Sequence, residues 1–321
     1  MRAAKTKPRA LSAGDEVGLI APSGAVRDLA QVGKAVAAIE RLGFKVRVGE
    51  SCRASYGYLA GADQGRADDV NAFFADPSVS GIVCMKGGYG TPRILDALDY
   101  ELIARNPKVF VGYSDITGMH LALNSLASLV TFHGPMGISG VLVEGEEYST
   151  RSWLAALTEA APLGEIRNPS SSPPLGVLVP GTARGELVGG NLSLIAATMG
   201  TSYEIDAAGK ILFFEDIDER PYRVDRMLTQ LRLAGKFDDC AGIVLGDWNN
   251  CKAEGGEPSL SLEEIFRDVI APAGKPTIMG LRAGHCSPAA TLPLGVEAVL
   301  EAGAGGPCLR VVESALRERE E

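Results

Sequence analysis

The chain has 321 residues, more than one average domain and enough for two. A hydrophobic fraction of 46% with 22% charged residues is ordinary globular composition and leaves material for a sizeable core. The formal net charge of -9 argues against sequence-independent nucleic-acid binding, which needs clustered Lys and Arg to neutralise phosphates, although it leaves room for a local basic pocket. In chain order, Glu16–Ala21 reads as a buried strand followed by a Pro-Ser-Gly turn. Leu29–Leu42 has helical spacing with Gly43 as its C-cap, and Phe44–Val48 is a second strand. Ala67–Ala75 reads as a helix ending before Asp76-Pro77. Ser80–Met85 is a strand entering a glycine-rich turn, and Val109–Gly112 a strand with a helix, Ile116–Ser125, behind it. Strands alternating with crossover helices predict an α/β fold with a doubly wound parallel sheet covered on both faces.

Residues 166–180 include NPSSSPPLGVLVP, a composition that disfavours helix and central strand and reads as a linker. The expected division is therefore an N-terminal domain over 1–165, the linker, and a C-terminal domain over 181–321. In the latter, strands at Gly185–Val188, Lys210–Glu215, Gly242–Leu245 and Thr277–Met279 alternate with helices at Leu192–Met199, Arg223–Leu233 and Leu262–Val269. This is a second, smaller α/β unit. The charged stretch RERE at 317–320 is expected to fray. The apolar run Val17–Ala21 is too short for a signal-peptide core, and no stretch approaches the ~20 apolar residues of a membrane span, so a cytoplasmic protein without a membrane partner is expected. Cys52, Cys84, Cys240, Cys251, Cys286 and Cys308 contain no CxxC pair. They read as reduced, mostly buried thiols rather than a disulfide framework or a zinc site.

The segment KVFVGYSDITGMHLALNSL carries the strongest local signal. A β-branched run ends at Gly112, a polar turn Tyr113-Ser114-Asp115 follows, and a helix begins. Such a strand-to-helix turn lifts a serine hydroxyl out of a sheet at the edge where ligands collect. Ile116 stands where the second glycine of G-x-S-x-G would be, and Ser114 could equally be a helix N-cap with Asp115 in the first turn. A serine nucleophile needs a base, and only three histidines are present. His120 lies six residues after Ser114 on the same predicted helix, on another face and roughly 9 Å along the axis. His133, in TFHGPM, suits a structural role. His285 sits in a long loop flanked by Gly284 and Pro288, the kind of segment where catalytic residues concentrate, although an exposed loop histidine is the plain alternative. A carboxylate that fixes the imidazole tautomer is expected beside it. Glu215, at the end of KILFF, is the best placed of an acidic run, with Asp216 left open. In MKGGYGTPR (85–93) the glycine spacing fits neither GxGxxG nor a P-loop. The N–H groups of Gly88 and Asp115 are candidate oxyanion donors, with an ordinary tight turn as the alternative.

Together these residues resemble the LD-carboxypeptidases, the muramoyltetrapeptide carboxypeptidase group of serine peptidases. The resemblance rests on GLIAPSG, MKGGYGTPRILDALD, VGYSDITGMHLAL, FHGPM, GELVGGNLSLIAATMGT, FFEDIDERPYRVDRMLTQLRLAG and GH followed by PLG, in that order. It implies a Ser114–Glu215–His285 triad; no cofactor and no metal are expected. It also implies a flavodoxin-like N-terminal domain, a smaller C-terminal domain bringing Glu and His to the cleft, and a homodimer. The implied reaction is removal of the terminal D-alanine from cytoplasmic murein tetrapeptides during cell-wall recycling. Lys86 stands where the family more often shows Arg before its Gly-Gly. An exopeptidase must recognise a free carboxylate, for which Lys86, Arg93, Arg220 and Arg223 are candidates, with surface ion pairs as the alternative for the arginines. Other readings are a microcin C-type immunity peptidase from a related branch, a non-catalytic ligand-binding module using GGYG as an anion cradle, and a metal-dependent peptidase, for which three scattered histidines offer no ligand pair.

Overall fold

A computed structural model describes residues 5–255, 258–303 and 305–319. The chain forms two compact units. The first comprises the chain up to Ala161, Pro288–Gly295 and the segment from Ser314 on; the second comprises Pro162–Ser287 and Val296–Glu313.

The first unit runs β1 (Glu16–Ile20), α1 (Ala30–Arg41), β2 (Lys45–Val48), α2 (Asp63–Ala75), β3 (Val79–Cys84), α3 (Tyr100–Arg105), β4 (Val109–Gly112), α4 (Thr117–Leu126), β5 (Thr131–His133), α5 (Gly140–Val143) and α6 (Glu147–Thr158). Strands β2, β1, β3, β4 and β5 lie in that order and are parallel, the flavodoxin-like arrangement. Their apolar runs are buried without alternation because helices cover both faces: Val17, Leu19, Ile20, Ile82, Val83, Val109, Phe110 and Val111 have no exposed surface. The strand order reverses between β1 and β3. The loops at their carboxyl ends, residues 21–24 and 85–91, meet at this switch point, where doubly wound sheets place their ligands.

The second unit runs β6 (Gly164–Ile166), β7 (Gly176–Val179), β8 (Gly181–Asn191), α7 (Leu192–Ala197), β9 (Ile211–Ile217), α8 (Pro221–Leu233), α9 (Lys236–Asp239), β10 (Gly242–Asn249), α10 (Leu262–Val269) and β11 (Thr277–Met279). The next strand, β12 (Leu292–Leu294), pairs antiparallel with β5 in the first unit. β13 (Glu297–Ala302) and β14 (Cys308–Val311) complete the second. Its sheet has the order β6-β14-β13-β8-β9-β10-β11-β7, with β8 to β11 parallel and antiparallel strands at both sides.

Three expectations change. The stretch read as a linker carries β7, which pairs antiparallel with β11 at the edge of the sheet. Pro173, Pro174 and Pro180 flank the strand rather than interrupt it, which is where an edge strand tolerates proline. Helix α2 begins at Asp63, one turn before the predicted start, with Gly65 in its first turn. Arg317 does not fray: its N–H donates to the Pro8 carbonyl and its carbonyl accepts from Ala10, at 2.9 and 3.1 Å. Glu320, the last residue of that stretch, lies outside the described residues. The six cysteines are free thiols, five of them buried.

Strand β8 approaches β9 so closely that a Cβ on Gly189, whose φ is +134°, would lie 2.0 Å from the Phe213 carbonyl oxygen. Gly189→Ala should therefore lower Tm by roughly 5 °C or more, whereas Gly33→Ala on the exposed face of α1, where nothing lies within 4 Å, should hold or raise it. Scanning calorimetry of the two variants checks this.

Candidate active site

Strand β4 is buried along its length and delivers the chain to Tyr113 and Ser114 at the carboxyl edge of the first sheet. Ser114 has φ +64°, in the left-handed region that costs any residue with a Cβ. It opens a single 3-10 turn, Ser114–Ile116, that runs into α4. This is the sharp strand–turn–helix geometry that projects a nucleophile. The capping alternative does not describe Ser114: the cap positions are Tyr113 and Ile116, and neither makes a side-chain cap bond. Gly87 presses on the serine from the glycine-rich loop. A Cβ there would lie 2.8 Å from Ser114 Cβ, 2.9 Å from its Oγ and 3.3 Å from the Asp115 nitrogen. The loop backbone thus reaches the hydroxyl where any side chain would block it. Gly88 follows with φ +116° and packs on Gly24.

In the second unit, the end of β9 carries Glu215 and Asp216, both buried, just before Ile217. Glu215 Oε2 accepts from His285 Nδ1 at 2.6 Å and from the His285 backbone N–H at 3.2 Å. With Nδ1 as donor, Nε2 of a neutral ring is the acceptor, as a general base requires. A Cβ on Gly284, whose φ is +105°, would sit 2.5 Å from Glu215 Oε2, so only glycine lets the loop carry its histidine onto the carboxylate. The loop is fixed further by Asn249, which donates to the His285 carbonyl at 2.7 Å, and by Arg282, which pairs with Asp247 at 2.6 Å and donates to the Ser287 carbonyl at 2.9 Å. The pairing of β9 with β10 shifts register between Leu245 and Trp248, an irregularity of the kind that re-aims side chains beside functional sites. Asp216 points elsewhere: it accepts from Asn191 Nδ2, the Ser193 N–H and Ser193 Oγ at 2.9, 2.9 and 2.8 Å. The carboxylate on the imidazole is Glu215.

Burial by itself pushes His285 down. The Glu215 hydrogen bond and the negative charges of Glu215, Asp216 and Asp247 outweigh it and hold the imidazole above its ordinary value. Asp216 is pushed up to about 6 by burial first and by Glu215 second. Burial lifts the neighbouring Cys286 thiol to about 12, so it offers no thiolate nucleophile at neutral pH. The other two histidines are core residues of the first unit. His120 Nε2 donates to the Gly112 carbonyl at 2.8 Å, and burial pushes its pKa down to about 3. His133 is buried against the Tyr113 ring.

Of the candidate carboxylate receivers, Arg93 is gripped by both oxygens of Asp63, with its closest approach 2.7 Å, and Arg220 pairs with Glu254. Arg223 lies 3.5 Å from Glu219. These are the surface ion pairs of the alternative reading. Lys86 lies 3.3 Å from the Ala25 carbonyl, and among the described residues no carboxylate pairs with it. Sequence reasoning passed over Gly87, whose only signal is the glycine doublet, and Gly284, visible only as a loop glycine.

Because the raised His285 value comes from Glu215, Glu215→Gln should lower it. By linkage, His285's contribution to stability is fully present below its ordinary value near 6.5 and is lost as pH rises through the raised folded value. An NMR titration of the imidazole nitrogens should find His285 titrating above that value in the parent protein and lower in the variant, with His120 neutral throughout.

The chain matches the LD-carboxypeptidase N-terminal domain over residues 17–134 and the LD-carboxypeptidase C-terminal domain over residues 184–300. It is 44% identical over 294 residues to a probable murein peptide carboxypeptidase of Bacillus subtilis, covering 92% of this chain and 91% of that one. The structure of a muramoyltetrapeptide carboxypeptidase from Oxalobacter formigenes superposes with a TM-score of 0.81 at 29% identity, covering 93% of this chain and 99% of that one. An MccF-like protein from Bacillus anthracis superposes with a TM-score of 0.85 at 28% identity, covering 95% and 99%. With both domains matched in order and a relative this similar along nearly the whole length, the chain belongs to the LD-carboxypeptidase family.

Proposed function

We propose that this carboxypeptidase is of the serine type and removes the terminal D-alanine from murein tetrapeptides, with Ser114 as nucleophile and His285, oriented by Glu215, as its base. One observation carries the reading: an imidazole fixed through Nδ1 at 2.6 Å from a fully buried carboxylate, in a chain where a left-handed strand-to-helix serine lies under a glycine loop. His285 Nε2 takes the Ser114 proton as Oγ attacks the carbonyl between the diaminoacyl residue and D-alanine. The N–H groups of Gly88 and Asp115 hold the oxyanion, a contribution of about 3 kcal/mol per donor. His285 then protonates the departing amine, and water cleaves the ester. Lys86 receives the C-terminal carboxylate, because Arg93 and Arg220 already serve Asp63 and Glu254. The same reading makes the protein a cytoplasmic homodimer in cell-wall recycling.

The likeness to an MccF-like structure favours a second reading, cleavage of a microcin C-type peptidyl-nucleotide. The higher identity to the murein peptide relative favours the first. Incubation with both substrate types and mass spectrometry of the products separates them. On the murein peptide, Ser114→Ala and His285→Ala should each lose roughly 10⁴-fold or more in kcat, and Glu215→Gln a similar order through the wrong tautomer. A Ser114→Ala variant that still releases D-alanine would remove the serine mechanism. Because His285 must be neutral to act as base, kcat/KM should fall as pH drops through its raised value, and that acid limb should move to lower pH in Glu215→Gln.

A further inference from the structure

Two fully buried charged side chains of the first unit, Arg66 and Asp115, grip backbone around the candidate oxyanion site. Arg66 Nη1 donates to the Pro22 carbonyl at 2.5 Å and the Gly90 carbonyl at 2.9 Å, while its Nη2 pairs with Asp63. Asp115 Oδ2 accepts from Ser23 Oγ at 2.6 Å and from the Thr91 N–H at 2.8 Å. The Asp115 main-chain carbonyl accepts from Thr91 Oγ1 as well. Each charge therefore holds both loops at the switch point, Pro22–Gly24 after β1 and Gly87–Thr91 after β3. The Gly24 N–H adds a bond to the Gly87 carbonyl at 3.2 Å.

This use of charge is costly. Taking a carboxylate out of water carries a penalty of several kcal/mol, which only well-made hydrogen bonds offset. Here one oxygen, Oδ2, takes both bonds, and Oδ1 has no partner among the described residues. A carboxylate left half satisfied is poorly explained as a device for stability. What it does supply is short, charge-assisted bonds of fixed direction. Asp115 also bears one of the two candidate oxyanion donors on its own nitrogen. Its side chain ends on Thr91, in the loop that carries the other at Gly88. The carboxylate therefore sets the spacing between the two donors, and Arg66 braces the same loop through Gly90.

We propose that Asp115 and Arg66 are positioning residues that hold the glycine-rich loop in register with the Ser114 turn, so that the Gly88 and Asp115 N–H groups converge on one oxyanion. This rests on the serine reading above. An oxyanion is needed in the transition state but not for binding substrate, so loosening the clamp lowers kcat and leaves KM nearly alone.

The test compares Asp115→Ala, Asp115→Asn and Thr91→Val in the full chain, with kcat referred to the fraction labelled by a fluorophosphonate and with Ser114→Ala in parallel. Asp115→Ala is expected to lose about 10- to 100-fold in kcat, less than the loss of a whole donor, with KM within about threefold. A boronic acid analogue of the D-alanyl substrate, which binds as a tetrahedral anion, should lose affinity by the same factor. Asp115→Asn retains an oxygen that accepts both bonds and should recover most of the loss. A purely structural role would instead lower the labelled fraction and leave kcat per site and boronate affinity unchanged, which would overturn the proposal. Should Asp115→Ala not fold, Thr91→Val decides. It keeps the N–H, deletes the Oγ1 bond, and should lower kcat severalfold; an unchanged kcat overturns the proposal. If Ser114→Ala retains turnover, the serine reading falls and this inference with it. An inactive Ser114→Ala beside unaffected Asp115 and Thr91 variants removes this inference alone.

Discussion

The buried carboxylate of Glu215 is the constraint around which the second unit is arranged. An ionised group with no exposed surface cannot stand without partners, and the nearest remedy is the imidazole N–H at 2.6 Å. Bringing that imidazole in requires a loop with no Cβ at residue 284, which in turn requires the loop to be fixed against β10 as it leaves β11. The Asp247 N–H donates to the Ala283 carbonyl at 3.1 Å, the Leu281 N–H to the Leu245 carbonyl at 3.2 Å, and Arg282 closes on Asp247. Asp216, next in sequence and also buried, would crowd the same space with a second negative charge. Its bonds to Asn191 and Ser193 at the start of α7 draw it to the other side of the strand. Two adjacent carboxylates thus acquire different tasks from their partners, one orienting an imidazole and one fastening a helix start.

The first unit meets a matching demand by backbone means. Ser114 is held at a φ that a serine adopts only when its surroundings dictate it. Those surroundings are the Gly87 backbone above it, the buried Asp115 behind it, and a β4 whose last carbonyl accepts from both His120 Nε2 and the Gly134 N–H, at 2.8 and 3.1 Å. His120 is therefore a structural support of this turn. Kept neutral by burial, it fastens the strand end from which the serine turn departs.

How much of this was legible in the sequence depends on the range of the forces involved. Strands Val109–Gly112 and Thr277–Met279 and helix Leu262–Val269 have the bounds that the sequence predicts, because each is fixed locally. The last is framed by a Ser261–Glu264 capping box. The antiparallel strands β13 and β14 and the edge strand β7 escaped notice. β13 takes its register from β8 and β7 from β11, each more than ninety residues away in sequence, while β14 pairs with β13 and with the distant β6. The site follows the same rule. With only three histidines in the chain, elimination gave weight to His285, and an acid at a strand end gave weight to Glu215. Nothing near Arg66 marks it out, since its acceptors are 44 and 24 residues away and its sequence setting is an ordinary helix. Long-range grips on backbone leave no local pattern to read.

The comparisons bear on where specificity resides. Structures named for a muramoyltetrapeptide carboxypeptidase and for an MccF-like protein both superpose on this chain with TM-scores above 0.8, each at less than 30% identity. A scaffold that tolerates both names cannot itself choose the substrate, so the choice falls to side chains on the loops. In this chain the three candidate arginines are already paired with Asp63, Glu254 and Glu219, and a lysine stands before the glycine doublet. An ammonium group is a compact point charge and lacks the planar fork with which arginine fixes a carboxylate in one orientation. Recognition through Lys86 would therefore select for a terminal negative charge more than for its angle. The discrimination of one acyl chain from another would then have to come from contacts elsewhere along the peptide, because a point charge cannot supply it.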